Sequence, residues 1–320
     1  MTVSLSNVFK RSYAVKGILF LSCIMLLSHI NFYKPEKFVK MMSSKIVPPA
    51  YEDLVGLDAD DPRLIDYIRQ HVIVPPSTEP YNLHYGINHD PSDGQAKVVD
   101  ELLNRKRNGF YIESGGFTGE VLSNTLFFEI KRNWTGILIE PNPKNFKKLL
   151  SRNRKAHSAK ACIGEIEAAA KVVFVNRKDI GKIFNVQDSS NTGESLDLNN
   201  AICFPLYSFL LALGKTTVDY FSLDVESSEY KVLQSIPWDK VDIKTLSVEY
   251  NIIPEGKPAL IDFMTSKGYI HYMELNRPYT HDLIFVKQEV LDHTRVSYRD
   301  LPILNSNNTY MWIKRTNFDS

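Results

Sequence analysis

The stretch Gly109–Glu120, GFYIESGGFTGE, decides the fold. It begins with an apolar and aromatic run, Phe110–Ile112, which is typical of a buried strand, and Glu113 puts a carboxylate at the end of that strand. Three glycines then form a turn that can adopt positive φ and let a ligand approach bare backbone. They are Gly115, Gly116 and Gly119. Thr118 is a candidate helix N-cap, because apolar residues at helical spacing follow it, so the stretch predicts strand, glycine turn and helix.

This strand–turn–helix unit resembles the first βα unit of nucleotide-binding α/β folds. Its glycines have the spacing G-G-x-x-G, which differs from the G-x-G-x-x-G of dinucleotide sites. The acidic residue two positions before the first glycine suits a site for S-adenosylmethionine better than a site for a dinucleotide. A tight βα turn without any ligand remains the alternative on this stretch alone.

Strands and helices alternate along the rest of the chain, which predicts a parallel sheet. The later strands are predicted at 136–140, 157–163, 172–175, 219–225, 245–249, 269–275 and 282–286, with a long polar loop at 176–202. Ligands bind at the carboxyl ends of the strands in such sheets. Four of the predicted strands end in acids: Glu113, Glu140, Asp224 with Glu226, and Glu249. Acids at strand ends often only cap helices or face solvent, but four in one sheet favour a binding site.

The composition is that of an ordinary globular protein with a formal net charge of +1, so the charge does not favour a nucleic-acid partner. No metal-ligand set is predicted. Cys162 and Cys203 lie in the body of the chain, and two isolated cysteines are more often buried thiols than partners. In an oxidising compartment they could pair instead, and the sequence leaves that alternative open.

Residues 17–33, GILFLSCIMLLSHINFY, predict an N-terminal transmembrane anchor after a short tail at 1–16. Positive charges flank both ends of this segment, so the positive-inside rule does not decide its orientation. Residues 34–94 are predicted to be a stalk and an N-terminal cover for the fold, with a helix that is capped by Asp60 or Asp61 and has Pro62 at its first position. Residues 288–320 are predicted to be a C-terminal tail without a clear pattern.

Five motifs together resemble the FkbM-type methyltransferase domain over residues 95–287. They are ESGGFTGE (113–120), LIEPNP (138–143), SLDVESSEYKVL (222–233), SVEYN (247–251) and HDLIF (281–285). Within that family the chain is most similar to the Star-like branch, which also carries an N-terminal membrane anchor. The resemblance implies an α/β, Rossmann-like methyltransferase fold with a seven-stranded, mostly parallel sheet whose last strand is antiparallel.

The resemblance also implies roles for individual residues, with S-adenosylmethionine as the cofactor. The residues implied to bind it are Glu113, Gly115, Gly116, Phe117, Gly119 and, at the ribose, Glu140. Asp224 would lie near the sulfonium and the methyl acceptor. Glu226 would take the proton from an acceptor hydroxyl, and both carboxylates are therefore candidate catalytic groups.

Two positions depart from the family pattern. Thr118 stands where the family usually has an acid in the glycine turn, and Ser227 stands where it usually has glycine after D-x-E. Loss of the acid would weaken cofactor binding. Ser227 adds a Cβ where the backbone needs to approach closely. Both departures reduce the expectation of catalysis.

Two functions therefore compete. The favoured one is a membrane-anchored Star-like protein that acts, without catalysis, in transport of membrane-protein cargo from the endoplasmic reticulum to the Golgi and through endosomes. Its expected location is those membranes or the plasma membrane. The alternative is an active O-methyltransferase that uses S-adenosylmethionine on a hydroxyl of a sugar or lipid. Sequons at Asn133 and Asn307 allow a test of which side of the membrane the domain faces.

Overall fold

The computed structural model describes residues 53–165, 168–177, 180–185, 197–294, 302–304 and 310–312. All of them belong to one compact unit, residues 51–320. The predicted anchor, residues 17–33, lies outside the described residues. Within the part of the chain that is described, no helix combines the length and the apolar character needed to cross a membrane.

The strands fall into a main sheet, a second sheet and a short C-terminal pair. In chain order they are β1 (Ile73–Val74), β2 (Phe110–Ser114), β3 (Thr135–Ile139), β4 (His157–Ala159), β5 (Cys162–Ile163), β6 (Ala170–Arg177), β7 (Ile180–Asn185), β8 (Asp197–Phe204), β9 (Thr217–Leu223), β10 (Asp242–Glu249), β11 (Tyr269–Arg277), β12 (Thr280–Lys287), β13 (Pro302–Leu304) and β14 (Tyr310–Trp312). The main sheet has the order β1–β4–β3–β2–β9–β10–β12–β11.

The main sheet confirms the predicted mostly parallel arrangement. Strands β4, β3, β2, β9 and β10 run parallel to one another, and β12 is antiparallel to both of its neighbours, β10 and β11. The last of these seven strands along the chain is β12, and it is antiparallel to its neighbours as predicted. The structure adds an eighth strand, β1, which is antiparallel to β4 at the edge. Two residues are too few to show a strand period, so the sequence did not predict β1.

The second sheet has the order β5–β8–β6–β7 and corrects two predictions. The single strand predicted at 157–163 is two strands, β4 and β5, which belong to different sheets. The predicted polar loop at 176–202 contains β7 and most of β8, while its residues 186–196 lie outside the described residues. An antiparallel sheet needs only one apolar face, so a polar composition does not exclude strands.

A disulfide joins Cys162 of β5 to Cys203 of β8. The two cysteines are register partners on neighbouring parallel strands, and both are buried. Their burial was expected, but the favoured interpretation as free thiols is wrong. Their sequence separation of 41 hid a proximity that only the pairing of β5 with β8 creates.

The helices are α1 (Pro62–Tyr67), α2 (Gln95–Leu102), α3 (Leu126–Arg132), α4 (Pro143–Leu150), α5 (Leu206–Ala212), α6 (Glu229–Gln234), α7 (Gly256–Ser266) and α8 (Gln288–His293). A π-helical turn, Ile68–Val72, follows α1. The predicted start of α1 is confirmed, because the Asp61 side chain accepts from the Arg63 backbone N–H and Pro62 is the first helical residue. The predicted patternless tail is wrong where α8 and the β13–β14 pair form.

The helix predicted to follow Thr118 begins only at Leu126, the start of α3. Gly119 and Leu122 have φ of +76° and +56°, which are left-handed values that a right-handed helix does not contain. Residues 115–125 therefore form an irregular loop between β2 and α3. The glycine turn is therefore the first part of this loop, and it does not lead directly into a helix.

The main sheet is buried on both faces. Phe110 and Ile112 of β2 pack into one apolar cluster, while Tyr111 packs with Phe128 and Tyr220 into another. Because successive side chains of a strand point to opposite faces, a strand between two clusters is apolar throughout. Polar groups are then concentrated at the ends of the strands, where the candidate site lies.

Candidate functional site

A cavity of about 240 Å³ opens at the carboxyl ends of β2, β3 and β9. Six of the predicted site residues line it: Glu113, Gly115, Phe117, Glu140, Asp224 and Glu226. Gly116 and Gly119 lie outside this lining and pack against Leu149 of α4 instead. A Cβ on either glycine would lie only 3.0 or 3.1 Å from the nearest atom of Leu149. Because these two glycines have no side chain, the loop can pack closely against α4.

Gly115 is the glycine that the cavity itself requires. Its φ is +89°, and a Cβ would lie 2.1 Å from the backbone oxygen of Asp224. The turn after β2 thus packs directly on the turn after β9. A backbone hydrogen bond from Asp224 N to Ser114 O, 3.1 Å long, joins the same two turns. No residue with a side chain fits at position 115 without separating them.

Thr118, which stands where the family usually has an acid, does not line the cavity. Its side chain is buried, and its Oγ1 accepts a hydrogen bond of 3.4 Å from Val121 N within the same loop. Thr118 in place of the acid therefore changes hydrogen bonds within the loop, and it does not change the residues that line the cavity.

Glu140 is a buried carboxylate at the end of β3, in the wall of the cavity. It accepts hydrogen bonds of 2.8 Å from the backbone N–H groups of Phe117 and Asn142. Burial raises its pKa to about 7. A carboxylate has about four acceptor positions, so two remain available to a ligand. Asn142 also caps α4, which fixes the backbone that holds Glu140.

Glu113, at the end of β2, has a carboxylate that already accepts hydrogen bonds from the residues around it. It accepts hydrogen bonds from Ser123 Oγ at 2.9 Å, from Asn124 N at 2.8 Å and from Thr125 Oγ1. Burial raises the pKa of this carboxyl even though three donors reach it. Glu113 therefore holds the loop that follows the glycine turn, and only one of its acceptor positions remains for a ligand.

A buried arginine that the sequence did not single out supports the same loop. Arg154 forms an ion pair with Glu129 of α3, and the side chains of both are 1% exposed. Arg154 also donates to Gly119 O at 2.6 Å and to Ser123 Oγ at 3.2 Å. In the sequence it lies in the polar run SRNRK, which gives no signal of burial.

Asn124 is a second cavity residue that sequence reasoning missed. Its Nδ2 donates to Ser222 Oγ at 3.0 Å, but its buried Oδ1 has no hydrogen-bond partner among the residues that the structure describes. A buried acceptor without a donor is costly, so a ligand that donates to it would be favoured. The residues that line the cavity thus offer free acceptor positions on Asn124 and Glu140. This set is consistent with S-adenosylmethionine, whose ribose hydroxyls and amino groups are donors.

The turn after β9 presents Asp224 and Glu226 to the cavity. Glu226 and Ser227 have φ of +59° and +88°, which costs about 1–2 kcal/mol at a residue with a side chain. Glycine at position 227, as in the family pattern, would remove that cost there. The Asp224 side chain is exposed to the cavity, but the surrounding protein still raises its pKa. Burial, with Asp224 as a like-charged neighbour, raises the pKa of Glu226 to about 7.

Similar solved structures have low sequence identity to this chain. TrmK from M. capricolum in complex with S-adenosyl-homocysteine is 11% identical, with a TM-score of 0.32 over 60% of this chain and 68% of that one. The human methyltransferase 10 domain containing protein is 12% identical, with a TM-score of 0.35 over 72% and 97%. The N-terminal domain of human METTL16 is 12% identical, with a TM-score of 0.32 over 77% and 91%. Among curated proteins no sequence matches significantly.

A sequence profile shows the family to which this chain belongs. The profile of the methyltransferase FkbM domain matches residues 107–270, more than half of the 320-residue chain. The matched range contains the glycine turn, β2, β3 and β9, and every predicted site residue. The chain therefore belongs to the family of the methyltransferase FkbM domain.

Proposed function

We propose that this domain binds S-adenosylmethionine in the cavity at the ends of β2, β3 and β9, and transfers its methyl group to a hydroxyl of a sugar or lipid. The observation that carries the proposal is the convergence of Gly115, Asn124 and Glu140 on one cavity. Glu140 and Asn124 have acceptor positions that no described donor fills, and Gly115 lets the turns after β2 and β9 pack together to form the cavity wall. The cavity also receives the two acids of the turn after β9.

Each residue has a distinct part in this proposal. Glu140 would accept from the ribose hydroxyls with its two free positions, and Asn124 Oδ1 would accept from a donor of the cofactor. When bound, S-adenosylmethionine supplies an electrophilic methyl group on a positively charged sulfur. The Asp224 carboxylate favours that positive charge. Glu226 has a pKa of about 7, which suits a base that takes the proton of an acceptor hydroxyl near neutral pH.

The test is calorimetric binding of S-adenosylmethionine to the full-length chain in mild detergent. Glu140→Gln keeps the shape of the side chain but removes its charge, and we expect it to weaken binding by at least about tenfold, as for loss of a charged hydrogen bond. The matched control is Glu289→Gln in α8, where Glu289 pairs with Lys244 near the start of β10, the opposite end of that strand from the cavity. Folded wild-type protein that binds no S-adenosylmethionine would refute the proposal.

A second function is favoured by the disulfide. Disulfides persist in oxidising compartments, so the Cys162–Cys203 bond supports a domain on the lumenal side of the secretory pathway. There a Star-like protein, anchored through residues 17–33, would act in transport of membrane-protein cargo through the endoplasmic reticulum, Golgi and endosomes without catalysis. Ser227, with φ of +88° where the family pattern has glycine, is the departure in the turn after β9 that favours a function without catalysis. Failure to bind S-adenosylmethionine, in protein with the disulfide intact, favours this function over the first.

A further inference from the structure

Three carboxylates converge beside the cavity: Asp224 after β9, Glu229 at the start of α6 and Glu249 at the end of β10. One oxygen of each lies within 4.8 Å of the other two. They come from two adjacent strand ends and the helix that follows the first, so they converge only in the folded domain. Asp224 also lines the cavity, while the other two lie behind it.

The carboxylate of Glu229 is built into this cluster with one oxygen unused. The residue is fully buried, and its Oε1 accepts a hydrogen bond of 2.7 Å from Val225 N. Within the described part of the chain its Oε2 has no hydrogen-bond partner, and the same is true of Oε2 of Glu249. Buried acceptors without donors are rare because they lose their hydrogen bonds to water and form none with the protein. Two of them in one cluster of three carboxylates point to a positively charged ligand.

No side-chain cation compensates the cluster among the described residues. The ion pairs that the structure describes include none with Asp224, Glu229 or Glu249. The charged groups that act most strongly on Glu249 are acids, namely Asp224, Glu229, Glu226 and Asp282. Charges buried in this way are normally paired or bind metals. The cluster therefore needs either protons or a cation to be stable.

We propose that Asp224, Glu229 and Glu249 bind one hard divalent cation, Mg²⁺ or Mn²⁺, at the edge of the cavity. Hard divalent ions take oxygen ligands at about 2.0–2.6 Å, so two ligand oxygens on one ion lie at most about 5 Å apart. The three carboxylate oxygens here meet that condition, because they all lie within 4.8 Å of one another. All three ligands are carboxylate oxygens, which excludes the softer metals that prefer nitrogen or sulfur. The sequence did not predict this site, because its ligands lie in two separate motifs, SLDVESSEYKVL and SVEYN, and meet only in the folded domain.

The cation site does not depend on methyl transfer. Glu140 belongs to the proposed cofactor site only, and Glu229 and Glu249 belong to the proposed cation site only. Loss of S-adenosylmethionine binding in Glu140→Gln and loss of cation binding in Glu229→Gln are therefore separate results. Either proposal can fail while the other holds.

The experiment is a titration of the full-length chain with Mn²⁺ at pH 7.5, followed by electron paramagnetic resonance of the free ion. Wild-type protein is expected to remove one equivalent of the free-ion signal, and excess Mg²⁺ to restore it. Glu229→Gln and Glu249→Gln are expected to weaken Mn²⁺ binding by at least about tenfold, since even partners of metal ligands have effects of that size. The matched control is Glu289→Gln. Glu289 is an exposed acid of α8 that pairs with Lys244, far from the carboxyl end of β10, and this variant is expected to bind Mn²⁺ like wild type.

Thermal unfolding of the wild-type chain supplies a second readout that needs no variant. A cation that binds only the folded state raises the Tm as its concentration increases. The proposal is overturned if wild-type protein leaves the Mn²⁺ signal and the Tm unchanged. It is equally overturned if Glu229→Gln and Glu249→Gln bind Mn²⁺ as wild type does, because the ion would then be held elsewhere.

Discussion

The ionisation of Glu140 gives the proposed cofactor site a pH dependence. Burial raises its pKa to about 7, and only the charged form can accept from two ribose hydroxyls while it holds Phe117 N and Asn142 N. We therefore expect the affinity for S-adenosylmethionine to rise about tenfold from pH 6 to pH 8, as the ionised fraction rises from roughly one tenth to nine tenths. Calorimetry at both values measures this change.

The same residue has the opposite effect on the stability of the free protein. Because the folded-state pKa of Glu140 lies above its usual value of 4.5, the folded state holds the proton more tightly than the unfolded state does. This contribution to stability is complete below about pH 4.5 and is lost as the pH rises through about 7. Glu140→Gln removes both effects, so its binding of S-adenosylmethionine should be weak at either pH. A tenfold rise that survives in Glu140→Gln would contradict the assignment.

Single residues differ in how far the sequence reveals them. Gly115, Glu140 and Asp224 could be predicted because each directly follows an apolar strand, and parallel strands bring their carboxyl ends to one edge. Arg154 and Asn124 could not be predicted, because their roles depend on buried partners that are distant in sequence, such as Glu129 and Ser222. Glu113 was correctly placed at a strand end, but its three internal donors appear only in the folded loop.

Among the structural elements, the disulfide between β5 and β8 gives the clearest test. It closes a loop with a sequence separation of 41 residues, and both cysteines are buried. Restriction of the unfolded chain predicts that the double variant Cys162→Ala and Cys203→Ala loses about 2–4 kcal/mol of unfolding free energy. Urea unfolding of the full-length chain, followed by tryptophan fluorescence, measures the loss.

Cys23→Ala serves as the control for the third cysteine, and we expect its unfolding midpoint to equal that of the wild type. If the double variant unfolds at the wild-type midpoint, the bond does not stabilise the domain. Free thiols at positions 162 and 203 in denatured, non-reduced protein would likewise contradict the pairing.

Elements of the main sheet were predicted more accurately than those of the second sheet. Strands such as β2 and β9 are apolar throughout because apolar clusters cover both faces of the sheet. Strand β8 begins with DLNN, which reads as a loop when each residue is judged alone. The predicted start of α3 was also wrong. Apolar residues at helical spacing follow Thr118, but Gly119 and Leu122 have left-handed φ values that the sequence does not reveal.

For the whole molecule, the two candidate functions differ in the surroundings of the domain. The disulfide favours an oxidising compartment, whereas a methyltransferase in that compartment needs its cofactor to be imported. Asn133 can report the compartment, because it is exposed at the C-terminal end of α3 within the sequon Asn133-Trp134-Thr135. Its Nδ2 donates to Asn108 Oδ1 at 2.7 Å, and a glycosylated amide keeps one N–H for that bond.

We expect Asn133 to carry a glycan when the full-length chain is expressed in eukaryotic cells, so that endoglycosidase increases the mobility of the band. Asn133→Gln should remove one glycan, and Asn307→Gln is the matched variant that reports the second sequon. Maleimide labelling of Cys162 and Cys203 after denaturing lysis of the same cells gives an independent measurement, since both buried cysteines then become accessible and only the disulfide protects them. An unshifted wild-type band together with labelled cysteines would place the domain on the reducing side of the membrane. That result would remove the support for the trafficking function and leave the methyltransferase with direct access to cytosolic cofactor.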